Sequence, residues 1–102
     1  MSDLKTFAEP QYLPYLKFPE FRELVEREHQ ASLKWWDSHN AWWKRKVMWL
    51  TRREEIEDRA TFYAEMEKEL EEETKLFESY MKAADKSKAM YLKLRAKCGP
   101  ST

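Results

Sequence analysis

All five tryptophans of this 102-residue chain lie between residues 33 and 50. They belong to two rows with seven-residue spacing, offset by one residue: Trp35, Trp42 and Trp49, and then Trp36, Trp43 and Leu50. Residues seven apart on an α-helix are separated by nearly two full turns, so each row would follow one side of the helix. The pattern therefore predicts a helix with a broad aromatic band, and such a band must be covered by another surface.

Chain-breaking residues are confined to the two ends of the sequence. They are Gly99 and the prolines Pro10, Pro14, Pro19 and Pro100. Good helix formers fill the interior between them. We therefore predict an all-α protein with a long amphipathic helix over residues 20–98 and a short tail over residues 99–102. Pro19 and Glu20 suit the first turn of that helix.

Two architectures are compatible with the long helical region. The turn-compatible residues at positions 37–40 could break the helix, so that a short first helix packs as an antiparallel hairpin against a longer second one. Without a break, the region would form a single rod about 115 Å long at 1.5 Å per residue. We favour the rod, because the tryptophan spacing crosses residues 37–40 without a change of phase.

Residues 1–19 predict an extended anchoring arm. Proline biases its preceding residue away from helical geometry, and this segment alternates prolines with large apolar residues. The rings of Tyr12, Tyr15 and Phe18 are the expected anchors. The arm could lie on a partner, which we favour, or fold back over the protein's own helix.

An apolar stripe continues the phase of the first tryptophan row toward the C-terminus. It runs through Ile56, Tyr63, Leu70, Phe77, Ala84 and Tyr91. A lone helix cannot bury its own stripe, so the stripe predicts a partner interface. Tryptophan and tyrosine are bulky for a two-stranded coiled-coil seam but suit heterologous interfaces, so binding to other protein subunits is preferred over self-association. The predicted partner-binding residues are Tyr12, Tyr15, Phe18, Trp35, Trp36, Trp42, Trp43, Trp49, Ile56, Tyr63, Leu70, Phe77 and Tyr91.

Charge is balanced in total but arranged in blocks. Nineteen acidic residues match nineteen lysines and arginines, which argues against nucleic acid as a partner. The blocks instead favour docking in one register against a complementary protein. The predicted ion pairs with four-residue spacing are Glu23–Arg27, Glu55–Arg59, Glu71–Lys75 and Glu78–Lys82.

No group of residues in the sequence predicts catalysis, a metal site or a cofactor. His29 and His39 have no cysteine or carboxylate at a recognised ligand spacing. Neighbours such as Asp37, Ser38 and His39 point about 100° apart on a helix and cannot align as a triad. A glycine-rich phosphate loop is absent, and the single Cys98 excludes an internal disulfide. We predict a protein that is not an enzyme and has no small-molecule substrate.

These features predict a non-catalytic structural or accessory subunit of a large intracellular multiprotein complex. The specific hypothesis is a mitochondrial membrane-associated complex of the respiratory chain or ATP synthase, since such complexes contain many small helical subunits. Tryptophans beside lysine and arginine between Trp42 and Arg53 suggest contact with lipid headgroups there. The alternatives are a self-associating coiled-coil protein of cytoskeletal or ciliary structures and an RNA-contacting helical subunit of an organellar ribosome. We expect no cleavable presequence and no transmembrane segment.

Overall fold

The chain folds as a helical hairpin with an N-terminal arm packed at its base. The computed structural model describes residues 4–98, which contain helices and no strand. In chain order the elements are a short helix α1 (Leu4–Phe7), a 3₁₀ helix (Pro10–Tyr15), the long helix α2 (Pro19–Thr51), a 3₁₀ turn (Arg53–Glu55) and the long helix α3 (Arg59–Cys98). The described part of the chain measures 60 × 21 × 20 Å. The predicted all-α class is confirmed.

Helix α2 begins where its first residues favour a start. Pro19 occupies the first turn, where its missing N–H costs no hydrogen bond, and Glu20 places negative charge at the positive end of the helix dipole. The predicted pair between Glu23 and Arg27 forms, with 2.6 Å between Oε1 and Nη2. Within residues 4–98 the other three predicted pairs do not form: Glu55–Arg59, Glu71–Lys75 and Glu78–Lys82.

Residues 37–40 are helical, so the break considered at that position does not occur. Trp35, His39 and Trp42 lie on the side of α2 that faces α3, where their rings are partly buried. Burying a large apolar side chain contributes about 1.5–3 kcal/mol. The weak helix propensity of aspartate, serine or asparagine costs only about 0.5 kcal/mol per residue. Packing against α3 therefore keeps the turn-compatible residues helical.

The chain reverses direction at residues 52–58 instead, so the single rod that we favoured from the sequence is wrong. Arg52 leaves helical geometry at φ −135° and ψ 34°, and Ile56 is extended and buried. Asp58 then caps α3: its carboxylate accepts hydrogen bonds from the Thr61 N–H at 3.1 Å and the Thr61 hydroxyl at 2.7 Å. These bonds hold the pKa of Asp58 below its usual value. An Asp-x-x-Thr cap ends the reversal without glycine or proline.

The N-terminal arm folds into short helical turns rather than an extended strand. Its first proline, Pro10, begins the 3₁₀ helix. Proline is tolerated there because the backbone N–H groups of a first turn have no hydrogen-bond partner within the helix. The arm packs on the protein's own helices at the base of the hairpin, so both the expected extended shape and the favoured placement of the arm on a partner are wrong. The buried core there consists of Ala8, Tyr12, Tyr15, Phe21, Val25 and Leu94.

The seam between α2 and α3 has seven-residue spacing on both helices. On α2 the seam follows Phe21, Glu28, Trp35, Trp42 and Trp49, and on α3 it follows Met66, Glu73, Tyr80, Ser87 and Leu94. The predicted stripe through Tyr63, Leu70 and Phe77 lies beside this seam, and all three side chains are exposed. Because the helical phase does not continue through residues 52–58, the sequence pattern placed the centre of the α3 stripe incorrectly.

We expect Phe21→Ala to lower the free energy of unfolding by about 3–5 kcal/mol, because it opens a cavity at a fully buried position. The control is Leu92→Ala, at a half-exposed position on α3, which should change stability by less than about 0.5 kcal/mol. Urea titration followed by far-UV circular dichroism measures both. Equal losses would contradict the assignment of the core to the base of the hairpin.

Candidate protein-binding face

The hairpin has two broad sides, and contacts across the seam distinguish them. Arg45 of α2 forms ion pairs with Glu65 of α3, at 3.0 Å, and with Glu69. Arg45 is three residues after a seam tryptophan and therefore lies about 60° to one side of the seam. Trp36 and Trp43 each follow a seam tryptophan by one residue and lie about 100° to the other side. The second tryptophan row therefore faces away from the ion-paired side.

A continuous patch of exposed apolar side chains occupies this second side. Trp36 and Trp43 are 52% and 49% exposed, and Leu50 continues their row. We call the patch the aromatic face; its exposed residues are Leu33, Trp36, Trp43, Val47, Leu50, Tyr63, Leu70, Phe77 and Met81. The α3 residues join it because they border the same seam, with ring centroids 5.2 Å apart for Trp49 and Tyr63 and 5.4 Å apart for Trp35 and Phe77.

The N-terminal arm covers the base of this same side. The Phe7 ring packs on His29 with centroids 4.6 Å apart, and His29 lies seven residues before Trp36 in the same row of α2. Tyr12 packs on Tyr91 with centroids 4.9 Å apart, and Tyr91 belongs to the row of α3 that supplies the face. The aromatic face is thus the uncovered continuation of a surface that the arm already occupies.

The first tryptophan row packs inside the hairpin. The Trp35 Nε1–H donates to Glu73 Oε1 at 2.9 Å, and His39 Nδ1 lies 3.4 Å from the same oxygen. Trp35 also stacks on Tyr80 with centroids 6.2 Å apart, and burial raises the pKa of that tyrosine. Toward the reversal, Trp49 stacks on the Phe62 ring at 6.2 Å. These indoles therefore hold α2 and α3 together.

A partly buried carboxylate lies near the base of the seam. Burial raises the pKa of Glu28, and the nearby Ser87 side chain opposes that shift. Ser87 is itself fully buried in α3. The pair is a polar contact between the two helices, below the aromatic face.

The residues predicted to bind a partner fall in four places. Trp35, Trp42 and Trp49 lie in the seam; Tyr12, Tyr15, Phe18 and Tyr91 at the base; Ile56 in the reversal; and Trp36, Trp43, Tyr63, Leu70 and Phe77 on the aromatic face. The sequence prediction omitted Leu33, Val47, Leu50 and Met81. Spacings of three and four residues on one helix face could have identified three of these four residues. Leu33 is three residues before Trp36, Val47 is four after Trp43, and Leu50 is three after Val47. Their role in binding stays a prediction.

Comparisons of the chain with protein families, curated proteins and solved structures return no match. Within residues 4–98 no group of three or more histidines, cysteines and carboxylates is placed to hold a metal ion. Neither long helix in that range is apolar enough to cross a bilayer.

We expect Trp35→Phe to lower the free energy of unfolding by about 1.5–3 kcal/mol, because it removes the donor to the Glu73 carboxylate. Trp36→Phe is the matched neighbour on the exposed side and should cost less than about 0.5 kcal/mol. Chemical denaturation monitored by circular dichroism compares the two variants. A larger loss for Trp36→Phe would show that the rows are assigned the wrong way round.

We also expect stability to fall at alkaline pH through Tyr12. Burial, with the nearby carboxylates of Glu9 and Glu28, raises the pKa of Tyr12 from 10.0 to about 12. The unfolded chain therefore loses this proton first, so the stabilisation is complete below about pH 10 and is lost between about pH 10 and 12. In Tyr12→Phe the free energy of unfolding should decline less steeply over that range. Identical slopes for the two proteins would refute this effect.

Proposed function

We propose that this protein is a non-catalytic accessory subunit that binds other proteins of a larger intracellular assembly through its aromatic face. The observation that carries the proposal is the uncovered row of Trp36, Trp43 and Leu50 beside exposed side chains of α3. Large exposed apolar patches on soluble proteins mark interaction sites. Tryptophan and tyrosine are also the residues that most often dominate binding energy at interfaces.

The size of the aromatic face supports this proposal. A fully buried aromatic side chain covers about 150–250 Å², so a half-exposed one offers on the order of 100 Å². The four aromatic side chains of the face therefore offer about 400 Å², and its five aliphatic side chains add to this area. The face thus approaches the roughly 800 Å² that each partner contributes to a standard protein–protein interface.

Rigidity is a second argument for binding. The Trp36 ring lies against Trp35, with centroids 5.8 Å apart, and the Trp43 ring lies against Trp42 at the same distance. Both supporting indoles are held in the seam. A face that is ordered before binding loses less conformational entropy when a partner arrives.

The finer proposal is a mitochondrial membrane-associated complex, of the respiratory chain or ATP synthase. Its support is general: such complexes contain many small helical accessory subunits of this kind. Fractionation of cells that express a tagged copy would test it, and recovery of the tag entirely outside mitochondria would refute the finer proposal while leaving the binding role of the face intact.

We expect the double variant Trp36→Ser, Trp43→Ser to leave the helical circular dichroism intact and to abolish incorporation into a larger assembly. The physical reason is that both indoles are exposed, so the hairpin does not need them, whereas a partner would lose its central contacts. Native-gel migration of a tagged copy from cells measures incorporation.

The matched control is Leu13→Ser, Leu92→Ser, which changes two exposed leucines outside the aromatic face. This control should migrate with the assembly like the wild type. Co-migration of the tryptophan variant, or free migration of the wild-type chain, would refute the proposed function.

A further inference from the structure

We infer that the occupant of the aromatic face is an amphipathic helix of a second protein, with lysines or arginines along the edge that meets α3. This inference rests on the proposed function and names the chemistry of its partner. Three observations carry it: the shape of the face, the way the arm fills its base, and the charge of the α3 edge.

The shape of the face fits a helix. Its α2 residues run from Leu33 to Leu50, which is about 25 Å at 1.5 Å per residue. The face lies along two antiparallel helices, whose axes in such pairs are about 8–10 Å apart, leaving a shallow groove between them. A third helix laid in that groove is the arrangement found in helical bundles. The described part of the chain contains no strand edge that could recruit an extended peptide.

The N-terminal arm already packs a short helical turn against this side of the hairpin. Tyr12, on a turn of 3₁₀ helix, packs between Phe21 of α2 and Tyr91 of α3, with ring centroids 5.1 and 4.9 Å apart. A helical segment with aromatic side chains therefore already bridges the two long helices at the base. The partner helix would extend the same interface toward the reversal.

The α3 edge of the aromatic face is acidic. Glu67, Glu71 and Glu78 are exposed and lie about 100–160° from the seam, on the same side as the face. None of the three forms an ion pair within residues 4–98. Lys75 and Lys82 lie about 40° farther from the face than the glutamates four residues before them.

The α2 edge lacks this bias: Lys46 lies about 60° from the seam on the side of the face, and the outer positions, about 160° from the seam, are the uncharged Leu33, Asn40 and Val47. A bound helix therefore meets unpaired carboxylates on one edge only. Lysine or arginine along that edge of the partner would complement it and fix the orientation of the helix.

A second copy of this chain fits the face less well. A closed dimer of this chain would have a two-fold axis. The aromatic faces of the two copies could meet with that axis either parallel or perpendicular to the long helices. An axis along the helices brings the two N-terminal arms onto each other, because the arm covers the base of the same side. An axis across the helices lays α3 on α3, so the acidic edges face each other. An anionic lipid surface would repel those carboxylates as well.

Two synthetic helical peptides test the inference against the full chain. Both carry the same stripe of leucine and tryptophan; one has lysines flanking the stripe and the other has glutamates. We expect the lysine peptide to bind about tenfold more tightly in fluorescence anisotropy, with a preference that shrinks as salt rises. Trp36→Ser, Trp43→Ser should abolish binding of both peptides.

Charge reversal on α3 supplies the matched variants. Glu71→Lys should weaken the lysine peptide, and Glu71→Lys with Glu78→Lys should reverse the preference. Glu72→Lys is the control, since this neighbouring exposed residue lies about 100° further round, toward the ion-paired side. It should leave the preference between the two peptides unchanged.

Several outcomes would overturn the inference, and they separate it from the proposed function. Equal binding of the two peptides, or no binding of either, rejects the basic helix while incorporation of the wild-type chain into an assembly still supports the proposed function. A dimer in sedimentation equilibrium that dissociates in the tryptophan variant would identify a second copy as the occupant. Preferential binding to vesicles containing phosphatidylglycerol would identify lipid. Loss of incorporation for the wild-type chain would reject both proposals.

Discussion

The packing of Trp35 against α3 organises the molecule. Its indole N–H is paired with Glu73, and its ring lies against those of Phe77 and Tyr80, so this edge of α2 must face α3. Because an α-helix turns about 100° per residue, the next tryptophan in the sequence cannot face the same neighbour. One companion helix can therefore cover one tryptophan row and must leave the other at the surface. The hairpin and its exposed face are two results of the same geometry.

The sequence predicted the helical class and the outer helix boundaries because these depend on local signals. Pro19 and Glu20 mark a start, and the absence of glycine and proline over residues 20–98 excludes most other folds. The position of the reversal depends on a weaker signal: Asp58 caps the start of α3 by accepting hydrogen bonds from Thr61. The seven-residue spacing appeared to run through Ile56 without interruption, which favoured a rod. Ile56 instead is buried in the reversal. Because the chain is not helical there, the seven-residue distance from Trp49 does not place Ile56 on the same helix face as the tryptophans.

The candidate site could be predicted in outline but not in detail. Both tryptophan rows have the same spacing, so the pattern alone cannot say which row turns inward. That choice depends on Glu73 and Tyr80, which are 38 and 45 positions after Trp35 in the sequence. Two of the unformed ion pairs, Glu71–Lys75 and Glu78–Lys82, lie on the exposed surface of α3, where competition with water weakens such pairs to a few tenths of a kcal/mol. The third fails because Glu55 lies in the reversal and Arg59 begins α3, so the two residues do not share a helix.

The folded arm gives the aromatic face a direction. Its 3₁₀ turns fill the hairpin base, so the groove is closed at one end and open at the end formed by Arg53–Glu55. The groove therefore limits the length of helix that it can hold. A helical segment of about 17 residues fits between the arm and the open end, and a longer helix must project beyond the reversal. The partner helix that we propose would leave the hairpin next to Arg52 and Arg53 and would give the proposed complex a defined polarity.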